Sequence, residues 1–252
     1  MNDDTIIAIS TPFGYGGIGV VRLSGKQALP IAKKIFHPRK TAAAIEPRHM
    51  VFGRLYHYEQ KRYYENGMFV YFNSPHSYTR EDVVEISCHG SPLLLEETVR
   101  LGIKAGARQA LPGEFTQRAF LNGRFDMVQA EAVNDLIQAS SLEQARLSYR
   151  QISGSLSGTI LDLRRQIIHI LSQIEASLEF PDDNVHMSPK MIQNSIQTTR
   201  KKIQSLIKSY DLGKALRAGI QIAITGTTNV GKSTLFNTLL KTRRAIVTPY
   251  PG

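Results

Sequence analysis

The sequence predicts an α/β multi-domain chain with an α+β domain at the N-terminus, a helical bundle domain after it, and the beginning of a P-loop domain at the C-terminus. Short β-rich runs alternate with helical patterns up to about residue 115, whereas residues 116–179 contain no proline and repeat apolar residues at helical spacing. Residues 226–233 have the sequence GTTNVGKS, which is a phosphate-binding motif. We therefore expect domains at 1–118, 119–217 and 218–252.

The composition predicts a cytoplasmic protein that has no membrane contact. The chain has 252 residues, 42% of them hydrophobic, and a single cysteine, Cys88, so an internal disulfide framework is excluded. The polar start of the chain does not resemble a secretory signal. No apolar run approaches the ~18 residues that a membrane span needs.

The net charge of +10 is concentrated near the C-terminus, because residues 184–252 hold eleven Lys or Arg and one acid. Such a basic face is suited to RNA phosphates. Equally, acidic residues elsewhere in a longer protein could neutralise it, so charge alone does not establish nucleic-acid binding.

The first 36 residues predict a β-hairpin followed by a helix. Thr5–Ile9 alternates as a strand, and Gly14–Gly19 forms a G-x-G-x-x-G followed by β-branched residues rather than by a helix, which argues against a dinucleotide-binding loop. Arg22 then lies on a strand just beyond an exposed loop, where it could bind an anion. Ser24–Gln27 resembles a capping box that would begin a helix ending near Phe36, although Pro30 within it allows a later start or a kink.

Further strands are predicted at 50–58, 67–72 and 83–87, with a long polar loop at 73–82. Ser91 and Pro92 begin a helix that extends to about Gly106. Cys88 is expected to be a buried thiol, because no second cysteine or spaced His/Asp/Glu set accompanies it. Beyond residue 116 we expect long antiparallel helices, with a break at Ser153–Ser155 and a stop at Gly213.

The P-loop prediction rests on the motif together with its flanks. A strand at Ile220–Ile224 precedes the motif and a helix follows it, which is the arrangement that cradles phosphate groups with backbone N–H groups. Lys232 is placed for the β- and γ-phosphates, and the Ser233 hydroxyl for Mg²⁺. The expected phosphate-binding residues are Asn229, Val230, Gly231, Lys232, Ser233 and Thr234.

In this order the motifs resemble the bacterial tRNA uridine-modification GTPases known as the MnmE or TrmE family. The resemblance covers the whole chain and rests on the glycine hairpin with Arg22, on 77–82 (SYTRED), on His89-Gly90, on 112–123 (PGEFTQRAFLNG), on 129–137 and on the P-loop. That ordered set is far more specific than the P-loop alone.

The resemblance implies an N-terminal domain that binds 5-formyltetrahydrofolate or a related tetrahydrofolate and forms a homodimer, a helical domain, and a Ras-like G domain. It also implies GTP hydrolysis that depends on K⁺ and Mg²⁺. With the flavoprotein MnmG (GidA), in a heterotetramer, such enzymes add a carboxymethylaminomethyl-type group at C5 of the wobble uridine of certain tRNAs, using a folate one-carbon unit.

Carried over residue by residue, the folate-binding positions are Arg22, Glu81 and Arg124. The last is usually Lys in the family, and because an arginine is planar its geometry differs. The two arginines suit the acidic folate tail, and Glu81 suits pterin N–H groups. From the residues alone, an internal Arg–Glu pair and a helix-end charge would be the favoured explanations, because isolated charges are mostly solvated or paired.

The cation positions implied by the resemblance are Asn229, Thr248 and Tyr250 for K⁺ and Ser233 for Mg²⁺. Asn229 could instead hydrogen-bond within its own loop, as Asn often does in turns. Thr228 stands where the family usually has proline.

The family's D-x-x-G, N-K-x-D and terminal cysteine motifs are not present in these residues, so guanine specificity is implied by the resemblance alone. We therefore expect an N-terminal fragment truncated inside the G domain, which hydrolyses GTP poorly. One alternative is a non-hydrolysing folate- or tRNA-binding dimer. Another is a ribosome-assembly P-loop GTPase, disfavoured because such proteins usually begin with the G domain.

Overall fold

The computed structural model describes residues 4–39, 45–179, 188–218, 222–228 and 230–242. By its internal contacts the chain divides into two compact units, Met1–Arg165 and Gln166–Gly252. The first unit contains a mixed sheet with helices packed on it, followed by shorter helices. The combination confirms the predicted α+β domain followed by a helical domain.

The sheet has seven strands in the order β3-β4-β5-β6-β2-β1-β7. All neighbouring strands are antiparallel except β1 and β7, which run parallel. The strands are β1 Ile6–Ile9, β2 Gly16–Ser24, β3 Phe36–Pro38, β4 Met50–His57, β5 Arg62–Phe72, β6 Val83–Gly90 and β7 Arg108–Gln109.

Eight helices are assigned among the described residues. Those of the first unit are α1 Ala28–Ile35, α2 Pro92–Lys104, α3 Glu114–Leu121, α4 Met127–Ile137 and α5 Leu142–Ile152. The remaining ones are α6 Ser155–Glu179, α7 Pro189–Ala218 and α8 Lys232–Leu240. None of them is both long and apolar enough to cross a membrane.

The hydrophobic core lies between the sheet and helices α1 and α2. Alternate residues of β2 and β6, such as Val21 and Ile86, point into it and are fully buried together with Phe69. We call this side of the sheet the inner face. The residues between them, among them Arg22 and Glu85, point to the opposite, outer face, where the candidate site lies.

Several local predictions are confirmed. Gly14–Gly19 spans the end of the hairpin connection between antiparallel β1 and β2 and the first residues of β2, and a strand rather than a helix follows, so the dinucleotide-binding interpretation is rejected. Cys88 is buried, and burial raises the pKa of its thiol to about 11. Helix α5 ends and α6 begins on either side of the predicted break at Ser153–Ser155.

Two helix-end predictions are wrong. Ser24 does not cap α1, whose N-cap is Gln27, because the Ser24 hydroxyl is bound to Thr79 and Glu81 in the adjacent loop. Gly213 does not end α7, which continues to Ala218. A single glycine inside a long helix costs only about 1 kcal/mol relative to alanine, which neighbouring turns can offset.

The described part of the strand predicted before the P-loop is not a strand. Ile220 and Gln221 lie outside the described residues, and Ile222–Ile224 have no strand assignment and no strand partner within the described part of the chain. A strand of a parallel sheet is stable only with paired neighbours. The helix predicted after the loop is present as α8.

Candidate functional site

A cavity of about 590 Å³ opens over β2, β5 and β6. We call it the arginine cavity, because arginines contribute most of its charge. Its lining consists of Arg22, Arg48, Phe72, Pro75, His76, Ser77, Tyr78, Arg80, Val83, Glu85 and Arg124. Two of the three predicted folate-binding residues, Arg22 and Arg124, therefore lie in one cavity.

Arg22 is held by its cross-strand neighbour. It lies directly opposite Glu85 in the β2–β6 register, so the two side chains emerge on the same face. The Arg22 Nε donates to Glu85 Oε1 at 2.8 Å, and Nη2 lies 2.7 Å from the same oxygen. The guanidinium also lies 5.4 Å from the Tyr78 ring and 5.6 Å from the Phe115 ring. Arg22 is thus oriented on three sides while remaining a quarter exposed.

Arg124 approaches the same tyrosine from another direction. It follows α3, and its Nη1 donates to the Ser77 carbonyl oxygen at 2.5 Å. Its guanidinium lies 5.1 Å from the Tyr78 ring and 5.1 Å from the Phe125 ring. Tyr78 therefore contacts both arginines, and its hydroxyl is hydrogen-bonded to Thr116 at 2.9 Å. The ring anchors the two cations at one wall of the cavity.

The cavity carries an excess of positive charge. Four arginines line it, against one carboxylate, Glu85, which is already paired with Arg22. Arg80 is held by hydrogen bonds to Ser74 and Asn122, and Arg48 makes one long contact to the His76 carbonyl oxygen at 3.4 Å. Arginines next to aromatic rings suit a ligand that combines a flat ring system with carboxylates.

Glu81 lines a different, neighbouring cavity of about 520 Å³, which shares Arg80 with the first. Its Oε2 accepts from Ser24 at 2.7 Å and from Arg118 at 3.2 Å, whereas Oε1 makes a longer, 3.4 Å contact with Arg118. The structure therefore does not place Glu81 beside Arg22 and Arg124. A ligand touching all three positions would have to span both cavities.

The second cavity is bordered by an ion network in which Glu114 and Arg118 are buried and Asp4 and Arg108 are partly exposed. Arg118 binds Asp4 at 2.7 Å and Glu114 at 3.1 Å, and Arg108 binds Glu114 at 2.6 Å and Asp4 at 2.7 Å. The Arg108 hydrogen bond is the main reason that the pKa of Glu114 falls to about 2. These contacts tie the start of the chain to α3 and fix the frame that holds Glu81.

The phosphate-binding loop is described except for Asn229. Gly231 has φ 90°, a conformation that favours glycine, and it caps α8, whose first residues are Lys232, Ser233 and Thr234. The Lys232 Nζ donates to the carbonyl oxygens of Gly226 at 3.0 Å and Thr227 at 2.5 Å. Ser233 lies in the first helical turn, where a hydroxyl next to free N–H groups suits a phosphate-bound cation.

The three residues predicted to bind K⁺, Asn229, Thr248 and Tyr250, all lie outside the described residues. Within the ranges that the structure describes, no group of three or more His, Cys, Asp or Glu side chains is arranged to hold a metal ion. Val230 lies in the loop between Thr228 and α8 and is exposed.

Sequence reasoning missed Tyr78, Glu85 and Arg48 as residues of the cavity. Strand alternation could have identified Glu85, because a β6 residue opposite Arg22 shares its face. Nothing local identifies Tyr78 or Arg48, since both come from loops that only the tertiary fold brings to the cavity.

An α+β domain with an arginine-lined cavity, followed by helices and a phosphate-binding loop that begins a helix, defines a multidomain P-loop protein. Comparison with known proteins is more specific. Residues 5–124 match the family described as "GTP-binding protein TrmE N-terminus", and residues 127–245 match the "MnmE helical domain". Together the two matches cover nearly the whole chain, which belongs to the MnmE family.

Curated relatives named "tRNA modification GTPase MnmE" agree with this assignment. The chain is 44% identical to the protein of Koribacter versatilis and 43% identical to that of Aquifex aeolicus, in each case over 99% of this chain and 55% of the relative. The Bacillus subtilis protein is 41% identical over 99% of this chain and 55% of its own length. The chain thus spans about half the length of these relatives.

Proposed function

We propose that the chain contributes the folate-binding and phosphate-binding parts of a GTP-hydrolysing tRNA modification enzyme. With the flavoprotein MnmG (GidA), this enzyme adds a carboxymethylaminomethyl-type group at C5 of the wobble uridine of certain tRNAs. The observation that carries the proposal is the arginine cavity, found in a chain of the MnmE family, with Arg22 and Arg124 oriented on the Tyr78 ring.

The residues of the two cavities fit 5-formyltetrahydrofolate. Arg22 and Arg124 donate to the carboxylates of the glutamate tail, and Tyr78 and Phe72 offer apolar surface to the aromatic middle of the ligand. Glu81 accepts from pterin N–H groups through Oε1, the oxygen with only one long contact. When bound, the folate supplies the one-carbon unit; the residues bind and orient it.

The phosphate-binding loop is proposed to hold GTP. Lys232 exchanges its two loop carbonyl oxygens for β- and γ-phosphate oxygens, and the Gly231–Thr234 backbone N–H groups donate to the same phosphates. Ser233 would hold Mg²⁺. Asn229, Thr248 and Tyr250 remain the proposed K⁺ ligands, and a K⁺ ion there would supply positive charge near the transferred phosphoryl group.

The proposed assembly and location follow from the same family assignment. The N-terminal domain, proposed to comprise 1–118, forms the homodimer, and the helical domain at 119–217 connects it to the G domain that begins at 218. Two subunits join two MnmG subunits in a heterotetramer that acts on tRNA in the cytoplasm.

The folate assignment is tested by titration calorimetry of the 252-residue chain with 5-formyltetrahydrofolate. Arg22→Ala removes a charged hydrogen-bond donor, so the dissociation constant should rise about ten- to a hundredfold. Arg146→Ala, which removes an exposed arginine paired with Glu143 in α5, is the matched control and should leave the affinity unchanged.

Sedimentation and thermal unfolding of Arg22→Ala accompany the titration, because Glu85 loses its partner in this variant. We expect an unchanged oligomeric state and a small loss of stability, since both side chains are partly exposed. An unaltered folate affinity in a folded Arg22→Ala variant would show that the ligand does not use this cavity.

A further inference from the structure

A second group of aromatic and basic side chains lies on the outer face of the sheet, over β3, β4 and β5. It shares no residue with the arginine cavity, which lies over β2, β5 and β6. We call it the aromatic–arginine patch and define it by His37, Arg39, Phe52, Arg54, Tyr56 and Tyr63.

Three rings of the patch support one another. His37 is stacked on Tyr56 with centroids 4.5 Å apart and planes at 27°, and it meets the edge of Tyr63 at 5.8 Å. Tyr56 and Tyr63 are 5.1 Å apart, and the Tyr63 hydroxyl lies 3.2 Å from His37 Nδ1. Since the rings come from three neighbouring strands, the patch is a fixed surface.

The cations of the patch lie against its rings and are not neutralised. Arg54 lies over the Tyr63 ring at 3.9 Å, and Arg39 over the Phe52 ring at 6.0 Å. Throughout the ranges that the structure describes, no carboxylate forms an ion pair with either arginine. Tyr63 remains 43% exposed and Phe52 44% exposed, so both aromatic surface and charge are available to a ligand.

We propose that the aromatic–arginine patch binds single-stranded RNA. Unpaired bases are recognised by stacking on aromatic rings and on arginine planes, while cations beside those rings contact the phosphates. Tyr63 with Arg54, and Phe52 with Arg39, form two such pairs on one sheet face. A sheet presents them rigidly, so little conformational entropy is lost on binding.

The charge of the patch argues against a second copy of the chain as its occupant. A two-fold contact of the patch with itself would bring Arg39 and Arg54 against the same cations of the other copy, with no carboxylate between them. RNA supplies both the phosphates that would neutralise these cations and the rings that would cover Tyr63 and Phe52.

The inference rests on the proposed function only for the identity of the natural RNA, which would be a tRNA. The side chains of the patch predict binding to any accessible single-stranded RNA. Its failure is distinguishable from failure of the folate site. Arg22→Ala should lower folate affinity without affecting RNA, and Arg54→Gln should do the reverse.

The test uses a single-stranded RNA 12-mer carrying 2-aminopurine, whose fluorescence is quenched when the base stacks on a ring. The 252-residue chain should quench the probe, and Tyr63→Ala should remove most of the quenching and weaken binding about tenfold. Tyr63→Phe keeps the ring and should bind almost as the parent chain does. Arg54→Gln should weaken binding severalfold and reduce the slope of affinity against salt by about one phosphate contact.

Two control variants separate the patch from charge elsewhere. Lys33→Gln removes an exposed cation from α1, on the inner side of the sheet, and Tyr149→Ala removes an exposed ring from α5; both should leave the quenching unchanged. If Tyr63→Ala fails to fold, Arg54→Gln decides, because the Arg54 side chain is exposed and forms no hydrogen bond or ion pair with the residues that the structure describes.

Two results would overturn the proposal. One is equal quenching and equal affinity for the parent chain, Tyr63→Ala and Arg54→Gln. The other is a change in sedimentation of these variants with no change in RNA affinity, which would identify the patch as a protein interface.

Discussion

Glu114 is the most strongly constrained carboxylate of the ion network beside Glu81. It is 5% exposed and accepts hydrogen bonds from Arg108, Arg118 and the Leu111 backbone N–H. Because these donors favour the charged form, its pKa falls from an ordinary 4.5 to about 2. The contribution of Glu114 to folding is therefore complete above pH 4.5 and is lost as the pH falls towards 2.

Glu114→Gln should lower the free energy of unfolding at pH 7 by ~3 kcal/mol, because Arg108 and Arg118 lose the more buried of the two carboxylates that they share. The difference between variant and parent should shrink as the pH falls from 4.5 towards 2, since the parent carboxylate becomes protonated there. Urea unfolding at a series of pH values measures both effects. Glu143→Gln, at an exposed pair in α5, should show neither, and a pH-independent difference for Glu114→Gln would contradict the linkage.

At the residue scale, the sequence identified Arg22 and Arg124 but not their surroundings. Arg22 was predicted from its strand position as well as from the family resemblance, and Arg124 from the resemblance alone, whereas Tyr78 reaches them from a loop whose path depends on tertiary contacts. Ser24 shows the opposite error. Its local sequence pattern favoured a helix cap, but its hydroxyl is instead hydrogen-bonded to the Thr79 hydroxyl at 2.6 Å.

At the scale of single elements, β3 is the shortest of the three strands that carry the aromatic–arginine patch. The pairing of β3 with β4 depends on Gly53, which lies opposite Pro38. A Cβ atom at Gly53 would lie 2.4 Å from the His37 carbonyl oxygen and 2.5 Å from the Phe36 ring. The backbone of β3 approaches β4 so closely because position 53 has no side chain.

Gly53→Ala should therefore lower the free energy of unfolding by about 1–3 kcal/mol, because β3 must move away from β4. Thermal unfolding measures the loss. Gly17→Ala in the β1–β2 hairpin is the control, since no heavy atom lies within 4 Å of its new Cβ, and it should unfold close to the parent temperature. Equal stability of the two variants would show that β3 adapts without cost.

Sequence patterns predicted some of the longer elements well. β4 and α2 each extend a clear periodicity over eight residues or more, and their observed bounds lie close to the expected ones. In contrast, α7 continues past the expected stop at Gly213, and β5 begins at Arg62 rather than at Gly67. β3 and β7 have three and two residues, too short for any period, and they exist because neighbouring strands offer unpaired backbone groups.

At the scale of the whole molecule, the chain carries, besides the aromatic–arginine patch, two proposed ligand sites of different character. The folate site is built from side chains that distant segments bring together, among them Arg22, Tyr78 and Arg124. The phosphate site is built from consecutive residues, so its motif was visible in the sequence. A contiguous motif can be recognised without the fold, whereas a site assembled from strand, loop and helix end cannot.

The central claim is that the arginine cavity binds a folate, and a crystal structure of the chain with 5-formyltetrahydrofolate tests it most directly. The claim predicts ligand density over Tyr78, carboxylate oxygens within hydrogen-bond distance of Arg22 or Arg124, and the pterin directed past Arg80 towards Glu81. Density at a site that contacts neither Arg22 nor Arg124, in crystals whose cavity is open to solvent, would contradict it.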